Sequence, residues 1–220
     1  MLINGGARLF VYPIPRDLGF APNPFHGYCT LATCKPKLRK SAKVNDWVMG
    51  LAASNAKEKK YHCIFFMKVT EKLTFQEYWA DPRFELKKPV RNGSKVQVLG
   101  DNIYHKDTEG KWMQEDSHHS NPDGTINEVN LKRDTGSTHD VLVSECFTYF
   151  GSEALPLDLN ALGYKPVRDY RKFSLDNQQY ARALIEKTVV KSDYRNMVVG
   201  DPIHFNLFDK RVDQGSGKYA

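Results

Sequence analysis

Hydrophobic and polar positions alternate with period two in several short stretches of this 220-residue chain, whereas a helical period is rare. The clearest case is residues 61–71, where Cys63, Phe65, Met67 and Val69 fall on one face of an extended segment and Ile64 and Phe66 on the other. Apolar residues on both faces predict a central strand. Residues 9–12, 28–33, 44–53, 95–99, 103–105 and 139–149 read as further strands, with Gly50 marking a bulge or a close backbone approach. Thr74 is a candidate N-cap for a short helix in which Phe75, Tyr78 and Trp79 recur at helical spacing before Asp81 and Pro82 end it. Residues 176–190 predict the one long helix, with Tyr180, Ala181, Leu184 and Ile185 on one face.

Between these elements, residues 13–27 are punctuated by proline and glycine and cannot be helical. A loop of this length that carries Phe20 and Phe25 and leads into Tyr28 is expected to be ordered and functional. Residues 34–43 read as a basic connection, and residues 106–139 as irregular structure around Trp112. The element order predicts an α+β protein, a mainly antiparallel β-barrel or bent sheet decorated by short helices, with one longer C-terminal helix. Residues 1–155 are expected to form the core, 156–209 an extension packing on it, and 210–220 a flexible tail.

Composition narrows the class. A mean hydropathy of -0.56 and no apolar run near the roughly 20 residues that cross a bilayer exclude a transmembrane helix. The start of the chain lacks the pattern of a secretory signal, so a cytoplasmic location is expected, with Cys29, Cys34, Cys63 and Cys146 as reduced thiols. The formal charge of +6 conceals a polarity: residues 1–60 hold ten Lys/Arg against three acids, while residues 101–145 hold four against ten. Lys35, Lys37, Arg39 and Lys40 form a cationic cluster that can meet phosphates, or simply face water. Phe25, Tyr28 and Trp47 offer ring faces for base stacking, though Trp47 equally suits a core.

Familiar nucleotide-binding, serine-hydrolase and zinc-protease signatures are absent. Cys29 and Cys34 are spaced more widely than a zinc knuckle and no second pair follows, so neither metal nor cofactor is expected. The densest polar constellation is Asp101, Asn102, Tyr104 and His105, followed by Asp116, Ser117, His118 and His119. Such a set can do acid/base work or read the edge of a heterocycle; capped turns with solvated histidines are the alternative.

Six segments, Gly-Phe-Ala-Pro-Asn-Pro-Phe (19–25), His-Gly-Tyr-Cys-Thr-Leu-Ala-Thr-Cys-Lys-Pro-Lys (26–37), Asn-Asp-Trp-Val-Met-Gly (45–50), Thr-Phe-Gln-Glu-Tyr-Trp-Ala-Asp-Pro-Arg-Phe (74–84), Gly-Asp-Asn-Ile-Tyr-His (100–105) and Asp-Ser-His-His-Ser (116–120), carry a family likeness. Across about residues 9–155 the chain resembles a bacterial and phage family, the nucleotide modification associated domain, type two. A weaker resemblance links the 44–50 turn, Ser54, the strand from Ile64 and the helix with Tyr78 to PUA-like barrels of the EVE and ASCH groups. These resemblances imply a partner that is a nucleic acid or nucleotide, possibly carrying a modified base, together with proteins of a modification or phage-defence system. The expected function is recognition of a modified base. Phe25, Trp47, Ser54, Asp101, Asn102, Tyr104 and Ser117 would form the pocket, and Lys35, Lys37, Arg39 and Lys40 would hold phosphates. The alternative is an enzyme using His105, Asp116, His118 or His119 in acid–base chemistry on a base or nucleotide, and a third reading is a structural partner.

Overall fold

The computed structural model describes residues 3–190 and 195–211; from residue 212 onward the expected tail lies outside the described residues. The strands are β1 (Arg8–Ile14), β2 (Cys29–Leu31), β3 (Trp47–Ala52), β4 (Cys63–Lys68), β5 (Glu71–Thr74), β6 (Tyr104–Lys106), β7 (Trp112–Gln114), β8 (Asp140–Ser144), β9 (Phe147–Tyr149), β10 (Arg171–Ser174) and β11 (Met197–Val198). The helices are α1 (Pro36–Ser41), α2 (Phe75–Ala80), α3 (Lys95–Val98), α4 (Glu128–Thr135), α5 (Leu159–Leu162) and α6 (Gln179–Ile185).

A six-stranded mixed sheet in the order β10-β1-β3-β4-β9-β11 forms the centre. β1 runs parallel to β3, with Leu9 opposite Trp47, and β3 runs antiparallel to β4. Both faces are covered, which is why these strands read as nearly continuous apolar runs. On one face Leu9, Val11, Trp47 and Met49 pack with Ala181 and Ile185 of α6. On the other, Phe10, Tyr12, Val48 and Phe65 pack with Leu31 of β2 and Leu142 of β8. The smaller antiparallel sheet β2-β8-β5 and the β6-β7 hairpin flank this centre, and a third core gathers Phe20, Phe75, Tyr78, Phe84 and Tyr104. β10 and α6, both from the segment read as an extension, supply one sheet edge and part of one covered face.

The structure is mixed α/β, and the sheets stay open. The closed barrel does not form, because β10 and the two-residue β11 end the central sheet at separate edges. Residues 95–99 are helical rather than extended. Ser94 and Gln97 make a reciprocal capping box there, a local signal that outweighs the β-propensity of the two valines. The basic connection is also helical: Pro36 stands in the first turn of α1, where its missing N–H costs nothing, and Leu38 and Arg39 face inward. Within residues 106–139, Asn127 caps α4, which buries Asn130, Leu131, Asp134 and Thr135. The single strand expected over 139–149 splits into β8 and β9, which join different sheets. The break is held by the Ser144 hydroxyl, which bonds both main-chain groups of Cys146. The long helix is regular only over α6 and continues as a wider turn over Glu186–Val190.

Gly50 meets its expectation: the β3–β4 register shifts there, so Cys63 joins the core of Phe66 while Ile64 joins that of Phe65. A Cβ at Gly50 would lie 2.2 Å from the Phe65 ring and 2.5 Å from Ile14 Cδ1, both buried. Gly50→Ala is therefore expected to destabilise the fold by about 1–3 kcal/mol, the usual range for overpacking. Urea unfolding monitored by circular dichroism checks this, and a variant as stable as the parent would show that the strands can slide apart there.

Candidate active site

β1 ends in Ile14, and the chain then turns through residues 15–21 along the rim of a cavity of about 220 Å³. Tyr12, Ile14, Leu18 and Phe20 give it apolar walls, while Arg16, Lys35 and Arg133 bring positive charge. Cys34, His118 and His119 complete the lining. The first part of the 13–27 loop, up to Ala21, thus walls this cavity, and residues 22–27 lie outside its lining.

Cys34 follows β2 and precedes the proline-led α1. Both Cys34 (φ 57°) and Lys35 (φ 41°) take left-handed backbone conformations, which cost a non-glycine residue roughly 1–2 kcal/mol each. Strain of this kind persists only where surrounding contacts enforce it. Here the Cys34 N–H donates to Asp134 Oδ1 at 2.9 Å, and the Cys34 carbonyl accepts from Arg39 Nε at 2.9 Å. Arg39 is fully buried, and its other nitrogens donate to the carbonyls of Asp134 and Asp140, each at 2.5 Å. The cation ties the cysteine turn to the end of α4 and the start of β8.

His119 occupies a turn that Ser117 and Ser120 close on themselves, and its carbonyl accepts from Asn130 at 2.7 Å and Gln114 at 3.2 Å. Its ring has three partners: Nε2 is 3.7 Å from Cys34 Sγ, Nδ1 is 3.0 Å from Asp134 Oδ2, and Arg133 Nη2 stands beside the ring, 3.1 Å from Nδ1 and 3.4 Å from Nε2. A carboxylate only accepts, so Nδ1 carries a proton and Nε2 faces the sulfur. Asp134 itself is fully buried and accepts from five donors. Oδ1 takes the Cys34 N–H and Arg133 Nε (2.8 Å), while Oδ2 takes His119, the Tyr104 hydroxyl (3.0 Å) and Arg133 Nη2 (2.9 Å).

The charges reinforce this order. Burial would push the Cys34 thiol up, but the adjacent Arg133 and His119 outweigh it and hold the thiol below its ordinary value. Burial and Arg133 pull His119 down, yet the Cys34 sulfur and Asp134 together leave it raised. Asp134 lies far below the usual carboxylate range, since His119 and Arg133 more than offset its burial. Both directions move the pair toward a thiolate–imidazolium, the activated form of a cysteine nucleophile.

Cys34, His119 and Asp134 also fall within metal-ligand reach of one another. The donor set does not suit a cation. Five donors already occupy Asp134, His119 spends Nδ1 on it, and Arg133 stands beside both, which leaves only the sulfur and one nitrogen. Cys29 is buried against Met67 and takes no part.

The remaining sequence candidates disperse. Of the cationic cluster, Lys35 lines the cavity, Arg39 is internal, Lys37 is exposed with an ion pair to Asp169 at 3.9 Å, and Lys40 is exposed. Trp47 is enclosed in the core with no ring face open to a base. Phe25 stacks on Phe205 and Ser54 is exposed in a turn, both outside the cavity lining. Asp101 is buried, accepting from Thr30 at 2.7 Å and Tyr78 at 2.8 Å, and Asn102 donates to the Tyr78 carbonyl. His105 lies flat on Trp79 and bonds Glu115 at 2.8 Å. Asp116 pairs with Arg211 at 2.5 Å. Tyr104 and Ser117 serve the site indirectly, by bonding Asp134 and by holding the histidine turn. Cys34, Arg133 and Asp134 were missed as site residues. The available signals were a lone cysteine beside a proline-led helix start and an asparagine cap six residues before Arg133.

A mixed α/β fold with a cysteine, a histidine and an aspartate joined at one cavity defines the class of this protein. The family model of the nucleotide modification associated domain 2 matches residues 6–209, and the chain belongs to that family, which ties it to nucleotide-modification systems. The match runs well past residue 155, where the sequence resemblance ended. Comparisons with curated proteins and with solved structures gave no match. Among the described residues, no helix is long and apolar enough to cross a membrane, and all four cysteines are free.

Two outcomes follow from the charges. Alkylation of Cys34 by iodoacetamide should titrate below an ordinary thiol, and Arg133→Gln should move its midpoint upward, because Arg133 is the largest influence holding the thiol down; an unmoved midpoint would remove Arg133 from the site. Burial, followed by the neighbouring positive His119, pushes His118 down to about 3 from an ordinary 6.5. As pH falls through that window the unfolded chain takes up a proton that the folded chain refuses, so stability declines. His118→Asn should show a flatter loss of unfolding free energy between pH 7 and pH 5.

Proposed function

We propose that this chain is an enzyme of a nucleotide-modification system that uses Cys34 as a nucleophile on an acylated base, nucleotide or small derivative. One observation carries the reading: the chain of contacts from Cys34 Sγ to His119 Nε2 (3.7 Å) and from His119 Nδ1 to Asp134 (3.0 Å) at a cavity wall. The thiolate attacks the acyl carbon, and a C–S bond forms. His119 gives its proton to the leaving nitrogen or oxygen as the acyl C–N or C–O bond breaks. Water, or an acceptor hydroxyl or amine, then attacks the thioester, returning its proton through His119 and restoring the thiolate.

Recognition of a modified base without chemistry accounts for the apolar walls of Tyr12 and Phe20 and for the nearby cations. It gives no reason to hold a thiol below its ordinary value in a doubly left-handed turn, so catalysis is preferred. Kinship with PUA-like barrels would favour recognition, but the open sheets lend it no support. Cytoplasmic placement, where thiols stay reduced, and association with other proteins of a modification system belong to the same reading.

The test uses p-nitrophenyl acetate as a generic acyl donor. The parent should release a burst of about one p-nitrophenolate per chain and carry an acetyl group on Cys34 by peptide mass spectrometry. Cys34→Ala should lose the burst, and His119→Gln should slow acylation by on the order of 10²–10⁴. A burst that persists in Cys34→Ala would remove the cysteine from the reaction.

A further inference from the structure

The cavity holds a second histidine that the reaction does not use. His118 is 6% exposed, and its Nδ1 lies 2.6 Å from the Lys210 carbonyl. A carbonyl can only accept, so Nδ1 carries the proton and Nε2 is left as a bare acceptor. The ring is fixed against Phe20, with centroids 5.3 Å apart, and it has no other hydrogen-bond partner among the described residues. The neighbouring His119 has Nδ1 on Asp134 and turns Nε2 toward the Cys34 sulfur, so the two adjacent histidines face the cavity differently: His118 offers it an open acceptor, and His119 is tied to the thiol.

Around this acceptor the lining is positively biased. Arg16, Lys35, Arg133 and His119 line the space, and among the described residues no carboxylate lines the cavity itself, Asp17, Asp134 and Asp169 standing behind the lining. Lys35 Nζ donates to the carbonyls of Arg168 and Asp169 at 3.3 and 3.2 Å, which uses two of its three protons. Lys35 also lies 5.1 Å over the Tyr12 ring, which fixes the ammonium at the rim. A concave site of one sign concentrates ligands of the other. A volume of about 220 Å³ takes a single base or small acid, not a stacked strand.

Resting on the assignment of Cys34 as nucleophile, we infer that the substrate is a small anion, bearing a phosphate or carboxylate for Lys35, that also donates an N–H or O–H to His118 Nε2. His118 would then be a specificity-determining residue. A polynucleotide threaded past the thiol is the competing arrangement.

Protection of Cys34 from iodoacetamide tests this in the full chain. The rate without ligand and its pH profile report the thiolate alone; an ordinary thiol there would overturn the catalytic reading itself. With the thiolate established, ligands are added in four arms: the four nucleoside 5′-monophosphates, the corresponding nucleosides, glutamate with succinate, and a twelve-residue single-stranded DNA. At least one monophosphate or dicarboxylate should slow alkylation tenfold or more at a concentration where no nucleoside does. The first arm identifies the anion as a phosphate and the third as a carboxylate. His118→Phe and, separately, Lys35→Gln should each weaken that protection at least tenfold. Lys35 is only half-buried, so its variant keeps the test valid if the histidine variant does not fold. Equal protection by nucleosides, protection by the oligonucleotide alone, or protection by none of the four would overturn the inference.

Discussion

The carboxylate of Asp134 is the constraint on which the rest of the site depends. A buried charge costs several kcal/mol unless it is fully paired, and five donors from four parts of the chain meet this demand here. The cysteine turn, the histidine turn, β6 and the last turn of α4 are all anchored to one group. Losing the carboxylate would orphan donors on each of them, so their positions are coupled rather than set separately. His119 is aligned toward the sulfur because its other nitrogen is bound to this carboxylate.

Buried cations do comparable work on the loops. Arg39 satisfies three main-chain carbonyls and thereby holds two consecutive left-handed residues in place. Lys87, also fully buried, donates to the Asn23 and Tyr28 carbonyls and to the Asn23 side chain, and so fixes the base of the loop that walls the cavity. Burial pulls that ammonium down to about 8, with the Asp101 charge opposing the fall. Asp101 thus belongs to the scaffold beneath the loop. Part of the cationic front is spent inside the molecule, where buried Arg39 reaches the backbone carbonyls of Asp134 and Asp140 in the acidic middle.

Periodicity made the central sheet legible. The two-sided burial of β4, the bulge at Gly50 and the threonine cap of α2 are local features that the sequence carries directly, but the strict alternation placed Cys63 with Phe65 and Ile64 with Phe66, and the register shift at the bulge reverses those two. α1, α3 and α4 were less visible because each is short and starts from a cap or a proline rather than from an apolar stripe. That blindness hid the site, since α4 carries Arg133 and Asp134 and α1 carries Arg39. His118 and His119 were legible as candidates by their density alone. Their partner was not, because nothing within the 101–119 segment announces that His119 faces a cysteine 85 residues earlier. Trp47 and the cysteines show the converse: residue type suggested stacking, zinc binding or plain reduced thiols, and only the packing told which atoms are accessible.

The distances in sequence between the parts of this site bear on its chemistry before folding is complete. In an unfolded or nascent chain, Cys34 has neither Arg133 nor His119 beside it, and its thiol is an ordinary one. Reactivity appears only when α4 and the histidine turn dock on the cysteine turn, roughly a hundred residues of synthesis later. The lowered thiol of Cys34 is therefore acquired only with the fold, and its enhanced reactivity is a sign that the molecule has finished folding.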